Sequence, residues 1–116
     1  MRSVLGIFLI IFFFGCNKSS EIPDGIISPD SMVTIMADIH VAESRLVVAG
    51  SMGTQRDVKS AYIHQVLKKA EVDTSRFLKS FDYYSLHPEQ FAELYEQIVV
   101  ELSKRQAEIR NKKAVK

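Results

Sequence analysis

The residues with the clearest capacity for chemistry stand within six positions of one another, as Asp38, His40 and Glu43 in the run Met36-Ala37-Asp38-Ile39-His40-Val41-Ala42-Glu43. Carboxylates and imidazole are the common protein ligands of zinc and related ions, and the same groups serve as general acids and bases. The helical periodicity of the surrounding sequence limits what they can do together. At about 100° per residue, Asp38 and His40 lie about 200° apart and cannot close on one ion, whereas His40 and Glu43 can lie side by side. A third ligand would have to come from His64 or His87 on another element, and nothing in the spacing requires either to be near. No metal site and no cofactor are therefore expected. The plainer reading pairs Asp38 with Arg45 two turns on, and puts His40 at the edge of an apolar stripe. Glu43 falls about 50° from the centre of that stripe, so it needs a hydrogen bond from Tyr62, Tyr83 or Tyr84, or a basic partner. The adjacent tyrosines 83 and 84 could join Asp38, His40 and Glu43 in a ligand or partner site, although aromatic residues at such spacing are more often core.

The lone cysteine carries a second kind of chemistry. Val4 to Gly15 is an apolar run of 12 residues behind Arg2, short of the roughly 20 needed to cross a bilayer. It ends at Gly15-Cys16 and passes at once into Asn17-Lys18-Ser19-Ser20-Glu21. This arrangement resembles a bacterial lipoprotein leader, in which the cysteine thiol receives a diacylglyceryl group and a peptidase cuts in front of it. Phe13 and Phe14 stand where such leaders usually have a leucine-like and a small residue. Gly15 fits the cut site, and a single cysteine in an exported chain cannot form an internal disulfide. The expectation is a signal peptide over 1–15 and lipidation at Cys16, with the membrane held through that lipid.

The elements that position these residues are well signed. Residues 16–27 read as the lipidated cysteine and a tether, with Pro23-Asp24-Gly25 marking a turn and Ile22, Ile26 and Ile27 as the first residues to touch a core. Ser28 and Pro29 open a first helix expected to reach Ala49 and stop at Gly50. Thr54 and Asp57 open a second, ending near Glu71. Asp73 caps a third that ends near Ser85, with Val72 placed to staple against Phe77; Pro88 opens the fourth behind a poor cap, His87, with Leu86 placed to staple against Phe91. The apolar stripes are Met32, Ile35, Met36, Ile39, Ala42 and Leu46; then Val58, Ala61, Tyr62, Val66 and Ala70; then Phe77, Phe81 and Tyr84; and finally Phe91, Tyr95, Ile98, Leu102 and Ile109, broken at Arg105. Glu101 with Arg105 and Glu108 with Lys112 are expected as exposed pairs. No segment alternates with a period of two. The predicted fold is all-α, a small antiparallel bundle of about four helices over 28–110, followed by a basic tail over 111–116.

Composition excludes some functions. Hydrophobic residues make up 47% and charged residues 25% of 116, which is ordinary for one globular domain. Without Arg2 the chain has fourteen basic and fourteen acidic residues, so it lacks the overall charge of a nucleic-acid binder. Six basic residues against Glu108 over Lys104–Lys116 suit the C-terminal dipole of a helix, or an anionic surface. No phosphate loop, nucleophile elbow or paired-cysteine motif is present.

The opening Ile22-Pro23-Asp24-Gly25-Ile26-Ile27-Ser28-Pro29-Asp30-Ser31-Met32, the segment from Met36 to Glu43, and Tyr83-Tyr84-Ser85 with Pro88 just after together resemble a bacterial lipoprotein family known as domain of unknown function 4296. The resemblance implies a short helical lipoprotein of the bacterial envelope and transfers no catalytic residue. The functional expectation is a membrane-anchored accessory module with an envelope protein partner, facing the periplasm, at the outer membrane or at the cell surface. It is not expected to be an enzyme. The alternatives are a small metal-dependent or acid–base enzyme, or a small-ligand binder, using the His40 and Glu43 region.

Overall fold

A computed structural model describes residues 21–48 and 55–116. The expected leader over 1–15, Cys16, Gly50 and the cap Thr54 lie outside the described residues. Among the described residues four helices are present, α1 (Pro29–Val48), α2 (Gln55–Lys69), α3 (Thr74–Ser85) and α4 (Pro88–Ala114). Among the described residues there is no strand, so the all-α expectation holds.

The chain enters the fold through a turn. Pro23 accepts a hydrogen bond from the Ile26 amide at 3.2 Å, and Gly25 sits at φ +85°, a conformation that glycine adopts without a Cβ clash. Ile26 and Ile27 are then buried. Buried backbone groups must find partners, and α3 provides them. The Ile27 amide donates to Ser80 Oγ at 2.9 Å, and its carbonyl accepts from the Tyr84 hydroxyl at 2.7 Å. Ser80 Oγ in turn donates to the Arg76 carbonyl at 2.8 Å, and Arg76 Nε donates to the Gly25 carbonyl at 3.3 Å. Three successive turns of one face of α3 thus hold the segment that leads into α1. Burial pushes the Tyr84 phenol above its ordinary 10.0, with a smaller contribution from Tyr83.

α1 is the central element and packs against both α2 and α4. Met32, Val33, Ile35, Met36, Ala37, Ile39 and Leu46 are buried along it. α2 runs antiparallel to α1, as the ion pairs Asp38–Lys69 and Glu43–Lys59 show. α4 runs parallel to α1, because Val33 shares a cleft with Glu93–Glu101 and Asp38 meets Arg105 further along. A bundle with only hairpin connections would alternate direction; here α3 carries the chain across the base before α4 sets off.

Several local expectations change on packing. The buried side of α2 is Leu67, with Ile63 and Val66 against it, whereas Ala61, Tyr62 and Ala70 are exposed. The rotation follows from the position of α1, since a larger side chain at 67 covers more apolar surface than the alanines. Leu86 is 79% exposed and does not staple. Its amide closes α3 on Asp82 and Tyr83, while Phe91 packs edge-on against Phe81 at 6.0 Å and against Tyr95 at 4.8 Å. His87 makes no side-chain cap, as read from its type; its ring stacks on Tyr83 at 4.2 Å. Asp73 caps α3 by accepting from the Arg76 amide at 2.8 Å. The helix α4 continues through Ala114, so much of the segment expected as a tail is its last turn.

The end of α2 is a Schellman arrangement, with Val72 N–H on Leu67 and Glu71 N–H on Lys68, and it places Glu71 at φ +56°. Glycine is the usual residue there. Glu71→Gly is expected to raise stability by up to about 1 kcal/mol, because relief of the left-handed strain exceeds the added chain entropy; urea unfolding measures it. Tyr84→Phe leaves the buried Ile27 carbonyl without its donor and should cost about 1–2 kcal/mol. The neutral phenol is the form that the fold favours, so its stabilisation is present below the ordinary 10.0 and is lost as pH rises above it. Thermal unfolding at pH 9 to 11 should therefore fall less steeply for Tyr84→Phe than for the parent.

Candidate functional site

The structure divides the sequence candidates into three separate places. Asp38 lies near the middle of α1 on the side that faces α4. Its Oδ1 accepts from Arg105 Nη1 at 2.6 Å, and Lys69 Nζ stands 3.7 Å from Oδ2. Arg105 also donates through Nε to Glu101 Oε1 at 2.8 Å. One arginine therefore ties α1 to α4 while a lysine approaches from α2. These hydrogen bonds push the guanidinium pKa above its ordinary value, Asp38 contributing most and Glu101 next. The Asp38 and Arg105 side chains are 23% and 28% exposed, enough to lower the dielectric below that of an open surface pair.

His40 and Glu43 form the second place. Nδ1 of His40 is 3.7 Å from Glu43 Oε2, and Glu43 Oε1 is 2.8 Å from Lys59 Nζ on α2. Of the partners expected for Glu43, the basic side chain is the one found. Asp38 is on another side of α1, in keeping with its angular separation. Among the described residues no three of His, Cys, Asp or Glu come together in a way that could hold a metal ion.

Tyr83 and Tyr84 belong to the third. The Tyr84 hydroxyl is spent on Ile27, and Tyr83 packs edge-on against Tyr84 at 5.4 Å and faces His87. His87 Nδ1 lies 2.6 Å from the Tyr83 carbonyl, which requires the proton on that nitrogen. The tyrosines therefore share no hydrogen bond or ion pair with Glu43.

Sequence reading missed the cationic half of the Asp38 network. Arg105 was visible as a break in the apolar stripe of α4, and Glu101 precedes it by one turn. That pairing, expected as exposed, is half-buried because α1 covers it. Asp38 pairs with Arg105 rather than with Arg45, since a residue 67 positions away reaches it across the helix contact. Glu108 and Lys112 form no ion pair with each other among the described residues; both line an open groove of about 530 Å³ between α2 and α4, whose floor includes Val41 and Ala42 of α1 and whose walls include Val66 and Ile109.

The arrangement can fix helix positions, and its polar groups are committed to one another. It defines a small helical-bundle domain with an interhelical ionic layer, without convergence of the candidate acid–base residues on one cavity. Residues 23–108 match the family model described as Domain of unknown function (DUF4296), and the chain belongs to that family. No curated protein and no solved structure matches it.

Arg105→Met removes the shared cation and should lower stability by about 1–3 kcal/mol, since Asp38 and Glu101 then stand half-buried without it. In a double-mutant cycle with Asp38→Asn, the coupling should be about 1 kcal/mol or more. A coupling under roughly 0.5 kcal/mol would reduce the contact to an ordinary surface pair.

Proposed function

We propose that this chain is a lipid-anchored protein of the bacterial envelope, facing the periplasm or displayed from the outer membrane, whose helical domain acts as a non-catalytic accessory module that binds an envelope protein. The observation that carries this reading is the single cysteine, Cys16, between a short apolar run and a polar stretch that ends just before the turn docked on α3. Two or three acyl chains on that residue would make attachment stable, each buried methylene adding about 0.8 kcal/mol.

Two structural facts agree with it. No helix among the described residues is long and apolar enough to cross a membrane, so within them attachment has no other spanning element to rely on. The tether meets the fold at the base of α1, and α4 runs parallel to α1 from that base. A 27-residue helix is about 40 Å long, so the basic end of α4 is carried to the end of the domain opposite the one at which residues 21–27 enter it, where a partner has access. The committed carboxylates of Asp38 and Glu43 favour a binding module over an acid–base enzyme.

In intact cells the parent chain should fractionate with membranes and carry the mass of a diacylglyceryl-modified N-terminal cysteine, whereas Cys16→Ala should lose both properties. In-cell crosslinking with mass spectrometry should then capture a specific protein with the anchored form alone. Unmodified Cys16 in the mature protein would overturn the anchor, and abundant anchored protein with no captured partner would overturn the accessory role.

A further inference from the structure

The core contact of α4 runs through Leu94 and Ile98 and continues as Glu101 and Arg105. A second stripe follows a heptad spacing beside it, as Ala92, Tyr95, Val99, Leu102, Gln106, Ile109 and Lys113. Apart from Leu102, which is half-buried, these residues are exposed, with Val99 at 61% and Ile109 at 58%. The first four and Ile109 are apolar at alternating three- and four-residue steps, the pattern of a helix-pairing seam. Three heptads are too few to make an independent coiled coil. Here α1 already holds α4 as a helix, so pairing does not bear the cost of forming one.

Charge is segregated along the same helix. From Pro88 to Ser103 there are four glutamates and no lysine or arginine, and from Lys104 to Lys116 there are six basic residues and one glutamate. Glu93, Glu96, Arg110 and Lys113 are exposed, and none is engaged in an ion pair or hydrogen bond among the described residues. The order suits the helix dipole, but it also makes the surface self-complementary. A second α4 laid antiparallel would put each acidic half on a basic half, and a parallel one would oppose like charges.

We propose that α4 is a homodimer interface, closed by a two-fold axis beside Ser103, with a second copy of this chain laid antiparallel along the Tyr95–Val99–Leu102–Ile109 seam. In that register Ser103 faces Ser103 of the second copy, Glu96 meets Arg110, and Tyr95 packs near Ile109. The interface is isologous and closes at two copies. One helix pair lies at the small end of the roughly 1,200–2,000 Å² found for stable interfaces, so the dimer is weak, salt-sensitive and helped by local concentration. It does not depend on the lipid anchor.

Thiol crosslinking of the full chain in membranes tests both the contact and its direction, with the parent, whose one cysteine is Cys16, as control. Ser103→Cys should give a disulfide-linked dimer on mild oxidation. Ala92→Cys should not, because the two positions 92 lie about 33 Å apart along antiparallel helices. Linkage at both positions would indicate a parallel pair, and linkage at neither would indicate no pair; either result overturns the proposal. Charge exchange supplies the second measurement, in the Ser103→Cys background. Glu96→Lys in one chain, or Arg110→Glu in another, should each lower the linked fraction roughly tenfold, since each change affects both symmetry-related pairs, and co-expression of the two chains should restore it as a heterodimer. If helical content by circular dichroism is unchanged and the mixture fails to recover, the charges serve only the helix dipole and the proposal falls.

Discussion

The fold depends on how the backbone of Ile27 is held. Its amide and its carbonyl are both buried, and both are satisfied by side chains of α3, Ser80 and Tyr84. An unmade hydrogen bond in such a place costs more than a made one contributes, so the two contacts fix position more firmly than their net stabilisation suggests. They set the start of α1 against α3, and α3 in turn decides where α4 begins. Without that crossing at the base, α1 and α4 would have no reason to run in the same direction.

The second constraint lies further along the long helices. Near the base α1 and α4 bury apolar side chains, Met32, Leu94 and Ile98 among them. Beyond it the contact passes to Asp38, Arg105 and Glu101, with Lys69 reaching in from α2. An arginine shared between carboxylates on two helices is specific in direction and distance, and so it fixes the register of α4 on α1 where the apolar stripe gives out. The same layer leaves α2 and α4 apart, and the open groove between them follows.

A helical bundle hosts many unrelated activities, and membership of a family described only as a domain of unknown function carries no chemistry with it. What argument remains must come from sites. The residues with acid–base or ligand potential are distributed over three places and engaged in holding helices or the incoming chain. Among the described residues, the surfaces left unengaged include the outer seam and the separated charges of α4. They are the surfaces on which the interaction proposed above would rest.

Much of this was written locally in the sequence. Asp73 and the prolines at 29 and 88 open helices by filling positions where a free amide or an accepting side chain is required. The stripes of α1 and α3 were equally legible, because long periodic segments choose their buried face from their own composition. The angular separation of Asp38 from His40 was a matter of helix geometry alone. Tertiary structure decided the rest. Leu67 rather than Ala61 or Ala70 became the buried side of α2, Leu86 gave way to aromatic contacts, and Asp38 found Arg105 instead of Arg45. Ser80, unremarkable in composition, became the fully buried acceptor for Ile27. Each of these depends on a partner distant in sequence, and periodicity within one helix records which face is apolar but not which neighbour will cover it.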